Sequence, residues 1–242
     1  MYDTLSERQI AILKGVVIEF AKTGSPVGSS IISEKYVNAS GATIRNDMSV
    51  LTKMGYLQKS HFSAGRYPTS IGFRYYINRL MVEDDINYID EMRIKQHLHE
   101  SRFEKEKLIK TAIDELADSL RYVSVAISDN SVLYSGISDI LDYEEFRDLD
   151  NLRGVLAVIE NYSMLNSVFN KYIEGELLKV LVGDECGFSS FEPCAIVYAQ
   201  FSLYHGTKGF IGVVGPVRMV YNQVIPKVRM VAETLTDVTR GW

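Results

Sequence analysis

The sequence predicts an α+β fold in which an N-terminal winged helix-turn-helix is joined by a long helical segment to a second, mixed domain. Three observations predict it. Apolar residues keep a helical period through successive segments up to Leu51. A short basic ribbon follows from Tyr56 to Thr69, with Gly65 near its tip. From Val123 the apolar period shortens to two, and strands are followed by helices that would cover one face of a sheet. The expected boundaries are 1–80 for a DNA-reading unit, 81–121 for a helical linker and 122–242 for the second domain.

The first helix opens on Ser6 as cap, with Gln9 as capping-box partner and Leu5 placed to staple onto Ile10. Ile10, Leu13, Val17 and Phe20 keep its period, and Gly24 ends it. After the turn Ser25-Pro26-Val27-Gly28, a short helix runs from Ser29 to Tyr36. Val37-Asn38-Ala39 then links it tightly to a third helix, which is helix-turn-helix order.

Ser40 is placed to cap that third helix, and Ile44, Met48 and Leu51 form its narrow buried stripe. Arg45, Asn46 and Ser49 point the other way, with Val50 near the same face and Ala42 and Thr43 at the open N-terminal end. Such a face suits a major groove, where Arg reads guanine, Asn reads adenine and small apolar groups meet thymine methyls. A polar face that merely meets water is the plainer reading of the helix alone. The basic ribbon directly behind it favours DNA, because a wing lies along phosphates or a minor groove beside the reading helix. Arg45 and Asn46 are the expected base readers, assisted by Thr43, while Ser40 caps and touches phosphate. His61, Ser63, Gly65, Arg66 and Thr69 form the expected wing, with Arg66 as its groove or phosphate contact. Asp47 is expected to be structural, its charge favourable near the helix N-terminus.

A further helix, capped by Thr69 or Ser70, carries Phe73, Tyr75, Tyr76, Ile77 and Leu80. This aromatic density suits packing of the wing against the first helix better than ligand binding. Glu83-Asp84-Asp85 opens the charged linker, whose Ile86, Ile89, Met92 and Leu98 lie near a repeating apolar seam open to a dimer contact. Val123–Ile127 and Ser131–Ser135 read as strands across the polar turn Asp129-Asn130. Leu152–Ile173 reads as mainly helical and Leu178–Val182 as a strand. Cys194–Leu203 and Gly209–Val214 pair around the tip His205-Gly206-Thr207-Lys208. Met219–Val238 closes the chain as a helix with Val220, Val224, Val228, Val231 and Leu235 inward.

The net charge is −5, but it is unevenly spread. Residues 1–80 hold ten Lys or Arg against five Asp or Glu, and the remainder holds 16 against 26. A small basic DNA reader attached to an acidic domain is the natural reading of that asymmetry. No apolar run approaches the roughly 18–20 residues that span a bilayer, and MYDTLSERQI is not a secretory signal. Cys186 and Cys194 are too few for a disulfide framework, so the expected location is the cytoplasm.

Enzyme chemistry finds little support. His97 and His99 lie two apart on a helix and point in different directions. Cys186 and Cys194 have no CxxC partner, and neither a GxxxxGK nor a GxSxG motif occurs. His61 beside Ser63, Gly65 and Arg66 reads as a phosphate or sugar contact rather than a catalytic base. No catalytic residue, cofactor or metal site is expected.

Three ordered motifs carry a resemblance: LSERQIAILKGVVIEFAKTGSPVGSSIISEKY, SGATIRNDMSVLTKMGYL and HFSAGRYPTSIGFRYYINRLM. With GFIGVVGPVRMVYNQVIPKVRMVAETL near the C-terminus, the chain resembles the bacterial heat-inducible transcription repressors of the HrcA family. The resemblance implies a winged-helix domain joined to a GAF-like domain in a homodimer. It implies binding to a double-stranded inverted-repeat operator of chaperone genes, support of the active form by the chaperonin GroEL, and release on heat stress. Departures from the family pattern are Ser60 in place of a proline, Phe62 in place of a threonine, and a shortened link at Val37-Asn38. The larger one is a missing middle. The strand at Val123–Ser128 runs almost directly into Ser131–Ser138, which resembles the segment beyond an inserted dimerisation domain. A shortened member with a reduced GAF-like core, its excision near Asp129-Asn130, is therefore expected. Dimerisation would then fall to the linker helices or the remaining core. Because GAF-like domains often bind small molecules, a ligand-sensing regulator is the alternative, and a passive assembly module a third reading.

Overall fold

The computed structural model describes residues 5–60, 64–170 and 178–239, except for the side chain of His205. Helices and antiparallel strands make an α+β chain that divides into two compact units, Met1–Val82 and Glu83–Trp242.

In the first unit, α1 (Glu7–Thr23) begins with the expected capping box: the Ser6 hydroxyl accepts from the Gln9 amide at 3.3 Å and the Gln9 side chain accepts from the Ser6 amide at 2.9 Å. Ile12, Leu13, Val16 and Val17 are its buried stripe. Next come α2 (Ser29–Lys35) and α3 (Gly41–Lys53), then β1 (Leu57–Lys59) and β2 (Arg66–Pro68) as an antiparallel pair. Sequence periodicity missed a third backbone segment in this ribbon. Val27 exchanges two hydrogen bonds with Arg66, at 2.7 and 3.0 Å, so the turn before α2 pairs with β2. Thr69, not Ser70, caps α4 (Ser70–Tyr75), and the chain continues through one π-helical turn to Leu80. Phe20 of α1 lies 6.0 Å from the Tyr67 ring and 6.2 Å from Phe73, so aromatic rings tie ribbon and α4 to α1.

One buried charge joins α1 to α2. Glu19 accepts from the Tyr36 hydroxyl at 2.8 Å and from the Lys35 ammonium at 3.2 Å. The Tyr36 hydrogen bond and then Lys35 hold the carboxyl below the ordinary glutamate range. Burial and the same carboxylate push the Tyr36 phenol up to about 12.

The second unit contains α5 (Tyr88–Ser101) and α6 (Lys105–Leu120), followed by β3 (Val123–Ser128) and β4 (Ser131–Ser135). Then come α7 (Leu149–Glu160), α8 (Tyr162–Phe169), β5 (Lys179–Val182), β6 (Cys194–Ser202), β7 (Lys208–Pro216) and α9 (Tyr221–Asp237). The sheet is antiparallel throughout, in the order β4-β3-β7-β6-β5. Val123, Val125 and Ile127 join Val155, Val158 and Phe169 of α7 and α8 in one core. The alternate residues Ala126, Val197, Ile211 and Val213 are equally buried, and α6 and α9 pack on β3, β6 and β7 there. Both faces of the sheet are thus covered, where the sequence suggested one.

Three further expectations are corrected. The segment 81–121 is helical but is no free linker: Ile94, Leu98, Leu108 and Ile113 are wholly buried, and the segment from Glu83 belongs to the second unit. The stretch expected to be mainly helical from 152 is not one continuous run up to residue 170, because extended Asn161 divides α7 from α8 and its side chain caps α8 at the Met164 amide, 3.0 Å away. Val220 lies before α9 and is half-exposed rather than inward.

Within α9, Pro226 has no N–H to offer the Asn222 carbonyl four residues earlier. That carbonyl accepts instead from the Asp84 amide at 2.9 Å. Arg229 forks the neighbouring Glu83 at 2.7 and 2.8 Å and holds its carboxyl low, so residues 83–84 are strapped to α9.

Between β3 and β4 the register pairs Ser128 with Ser131, leaving a two-residue turn. Asp129 and Asn130 both have positive φ, 50° and 60°, as a type I′ hairpin requires. Where the resemblance places an inserted domain, this chain has only that turn.

Candidate nucleic-acid interface

α3 buries Ile44, Asp47, Met48 and Leu51. The opposite stripe runs Ala42, Asn46, Ser49 and Lys53, with Arg45 and Val50 on its flanks, and all six are exposed. The Ser40 hydroxyl caps the helix by accepting from the Thr43 amide at 3.2 Å, and it lies 2.9 Å from the Thr43 hydroxyl. Arg45 lies along its own helix, its Nε donating to the Gly41 carbonyl at 3.1 Å, and the Ser49 hydroxyl donates to the Arg45 carbonyl at 2.9 Å. These bonds stay within one helix, so swinging Arg45 outward breaks no contact between elements.

Asp47 is structural through a partner that the sequence did not reveal. Arg8 of α1 donates to it from Nε at 2.6 Å and from Nη2 at 3.5 Å, which fixes the rotation of α3 on α1.

The ribbon divides the expected wing residues. Arg66 Nε donates to the Thr52 hydroxyl at 3.3 Å, and Nη1 donates to the carbonyls of Ala64 and Gly65 at 2.9 and 3.3 Å. Its guanidinium therefore braces the ribbon against α3. Gly65 is buried, and a Cβ there would lie 2.8 Å from Pro26 Cβ. Its place in an exposed wing is corrected: it lets the ribbon approach the turn before α2. Thr69 is also taken up internally, donating to the Gly55 carbonyl at 2.5 Å and accepting from the Gly72 amide at 3.1 Å. His61 and Ser63 lie outside the described residues. Lys53, which the sequence reading passed over, lies seven residues beyond Asn46 on the same stripe, and that spacing was the available signal.

His97 and His99 separate: His97 Nδ1 lies 2.5 Å from Oε1 of buried Glu115, while His99 is exposed. Arg93 reaches the other Glu115 oxygen at 3.0 Å, as an ion pair without hydrogen-bond alignment. Cys186 and Cys194 are buried thiols, and burial raises the Cys194 thiol well above its ordinary range, which makes it a core residue. Among the described residues no three His, Cys, Asp or Glu side chains are placed to hold a metal. No helix among them is long and apolar enough to cross a membrane. A depression of about 490 Å³ is lined by Ile86, Pro226 and Met230 and by charged side chains including Asp84, Asp85 and Glu233.

Residues 68–225 match the sequence profile of the HrcA protein C-terminal domain. The chain belongs to the HrcA family. The heat-inducible transcription repressor HrcA of Carboxydothermus hydrogenoformans is 24% identical, across 97% of this chain and 98% of that protein. The HrcA repressor of Halalkalibacterium halodurans is 25% identical, across 97% of each. Both alignments extend over 336 positions against 242 residues here, so these HrcA proteins carry segments that this shortened member lacks. The curated relatives are named as transcription repressors, not as enzymes. A crystal structure of a hypothetical protein shares the fold, with a TM-score of 0.73 at 18% identity over 97% of this chain and 99% of that one.

Proposed function

We propose that this HrcA-family chain represses heat-shock (chaperone) genes by binding an inverted-repeat operator as a homodimer. Residues 1–80 act as a winged helix-turn-helix, and residues 122–242 are a reduced GAF-like regulatory and dimerisation domain. The observation that carries the reading is the exposed stripe of α3, with Arg45 and Asn46 beside short side chains, braced by Arg8 below and by the ribbon behind. Arg45 and Asn46 read bases, with Thr43, Ser49 and Val50 near the groove floor. Ser40, Lys53 and the ribbon contact phosphate. The similarity to heat-inducible transcription repressors supports control by heat, and the family resemblance supports GroEL as a partner of the active form. A cytoplasmic location follows from this reading.

Fluorescence anisotropy at several salt concentrations tests it. The duplexes are an inverted-repeat chaperone operator, its half-site and a scrambled sequence, each with and without GroEL. Preference for the full repeat, strengthened by the chaperonin, is expected. Equal weak binding to all three would sink the repressor reading. A metabolite that raised the melting temperature by mass action would instead favour a ligand-sensing regulator.

A further inference from the structure

Arginines from two other elements hold α3, one on each side. At 3.6 residues per turn, Asp47 lies about 100° to one side of Asn46 and Thr52 about 120° to the other. Thr43 and Val50 share the Asp47 side, and Arg45 and Ser49 share the Thr52 side. Arg8 of α1 reaches Asp47 and Arg66 of β2 reaches Thr52, so two guanidinium groups bracket the exposed stripe. A helix about 10–12 Å across fills a major groove about 12 Å wide and about 8.5 Å deep. The phosphates along the lips of such a groove then stand beside the flanks of the helix, not opposite its stripe.

The bonding of Arg8 leaves it able to serve such a lip. Arginine carries five N–H groups in a planar fork. The pair with Asp47 occupies Nε, at 2.6 Å, and one N–H of Nη2, at 3.5 Å. Among the described residues Nη1 has no hydrogen-bond partner. The Arg8 side chain is 51% exposed and that of Asp47 11%, so the pair is anchored at its carboxylate and open at its guanidinium. The edge formed by Nη1 and Nη2 is left for a second acceptor, and its spacing suits two oxygens of one phosphate. Holding Nε in place also removes rotamer freedom before DNA arrives, which lowers the ordering cost of the contact. A helical reading of α3 gives no sign of this residue, which lies 39 positions before Asp47.

We infer that Arg8, positioned by Asp47, contacts a phosphate on the lip of the groove across from Arg66. The inference rests on the proposed reading of α3 as the helix that enters DNA.

Fluorescence anisotropy of the full chain at several salt concentrations tests it, on an operator half-site and on a scrambled duplex of the same length. A phosphate contact carries no sequence information, so Arg8→Ala should weaken both by the same factor, roughly tenfold. It should also flatten the salt slope by about one unit per bound chain. Asp47→Asn removes the buried acid that Arg8→Ala would leave unpaired, and so separates contact from folding. That variant should keep the slope of the parent, and adding Arg8→Ala to it should again flatten the slope by about one unit. Ethylation interference should reveal a phosphate that matters to the parent and not to Arg8→Ala. A residue that only fixed the rotation of α3 would behave differently. Arg8→Ala and Asp47→Asn would then lose half-site preference alike, combine without further loss and keep the slope. An unchanged slope in either background, or identical ethylation patterns, would overturn the inference, while half-site preference in the parent judges the reading of α3 separately. A parent that binds neither duplex would overturn the inference and the repressor reading together.

Discussion

Arg45→Ala and Arg66→Ala should separate base reading from wing support, although both remove one guanidinium from the same face of the first unit. The Arg45 side chain bonds only its own helix, at the Gly41 carbonyl, and Arg and Ala are both strong helix formers. Its removal should leave the stability of the fold within about 0.5 kcal/mol. A bidentate contact to a base contributes about 1–3 kcal/mol of discrimination, so a half-site should lose roughly 5- to 150-fold in affinity. On an inverted repeat both copies lose it, which gives about 2–6 kcal/mol for the full operator. Arg66 differs, because its guanidinium bonds Thr52 and two ribbon carbonyls. Arg66→Ala should cost about 1–2 kcal/mol of stability through those bonds. A phosphate contact there would weaken operator and scrambled DNA alike and flatten the salt slope by about one unit. Anisotropy on both duplexes, with thermal unfolding as control, reads all four quantities. Equal losses on both duplexes for Arg45→Ala, or a clear drop in its melting temperature, would refute base reading by this residue.

Three further outcomes follow from the packing and electrostatics. Gly65→Ala should destabilise the ribbon by about 1–3 kcal/mol through collision with Pro26, and hydrogen exchange should quicken at the Val27 and Arg66 amides. Glu19 has a lowered carboxyl pKa, so its contribution is present above the ordinary glutamate value of about 4.3 and is lost as pH falls through the folded value. Hydrogen exchange in α1 and α2 should therefore rise on acidification below that value, and Glu19→Gln should remove that dependence. At the β3–β4 turn, Asn130→Ala should cost about 1 kcal/mol in chemical denaturation, because Ala resists a left-handed backbone. Asn130→Gly should be neutral or slightly stabilising, as Asp-Gly suits the same turn.

Local rules made much of the chain readable. The Ser6-Gln9 box, the Ser40 cap, the buried stripe of α3 and the Asp129-Asn130 hairpin depend on residues close together in the chain, and each forms as expected. The outward face of α3 was readable for the same reason, since helical period alone places Arg45, Asn46 and Ser49 opposite Ile44, Met48 and Leu51. Where several neighbours competed for one side chain, the reading went astray. Gly65 and Thr69 read as wing residues from their place in the ribbon, but Pro26 and the Gly55 carbonyl lie against them. Leu98 looked like part of an exposed seam because it is apolar near a repeat, but it faces inward.

The sequence by itself determined the order of helices and strands, the charge difference between the first 80 residues and the rest, and the residue types that α3 offers to a groove. Period, caps and turns are set over a few residues, and composition alone carries charge. Only the tertiary structure decided that Arg8 pins Asp47, that Val27 joins the ribbon and that Pro226 frees a carbonyl for the Asp84 amide. It also decided which side of α5 remains exposed. Each of these depends on groups far apart in the chain meeting at hydrogen-bond or van der Waals distance, which no local period encodes.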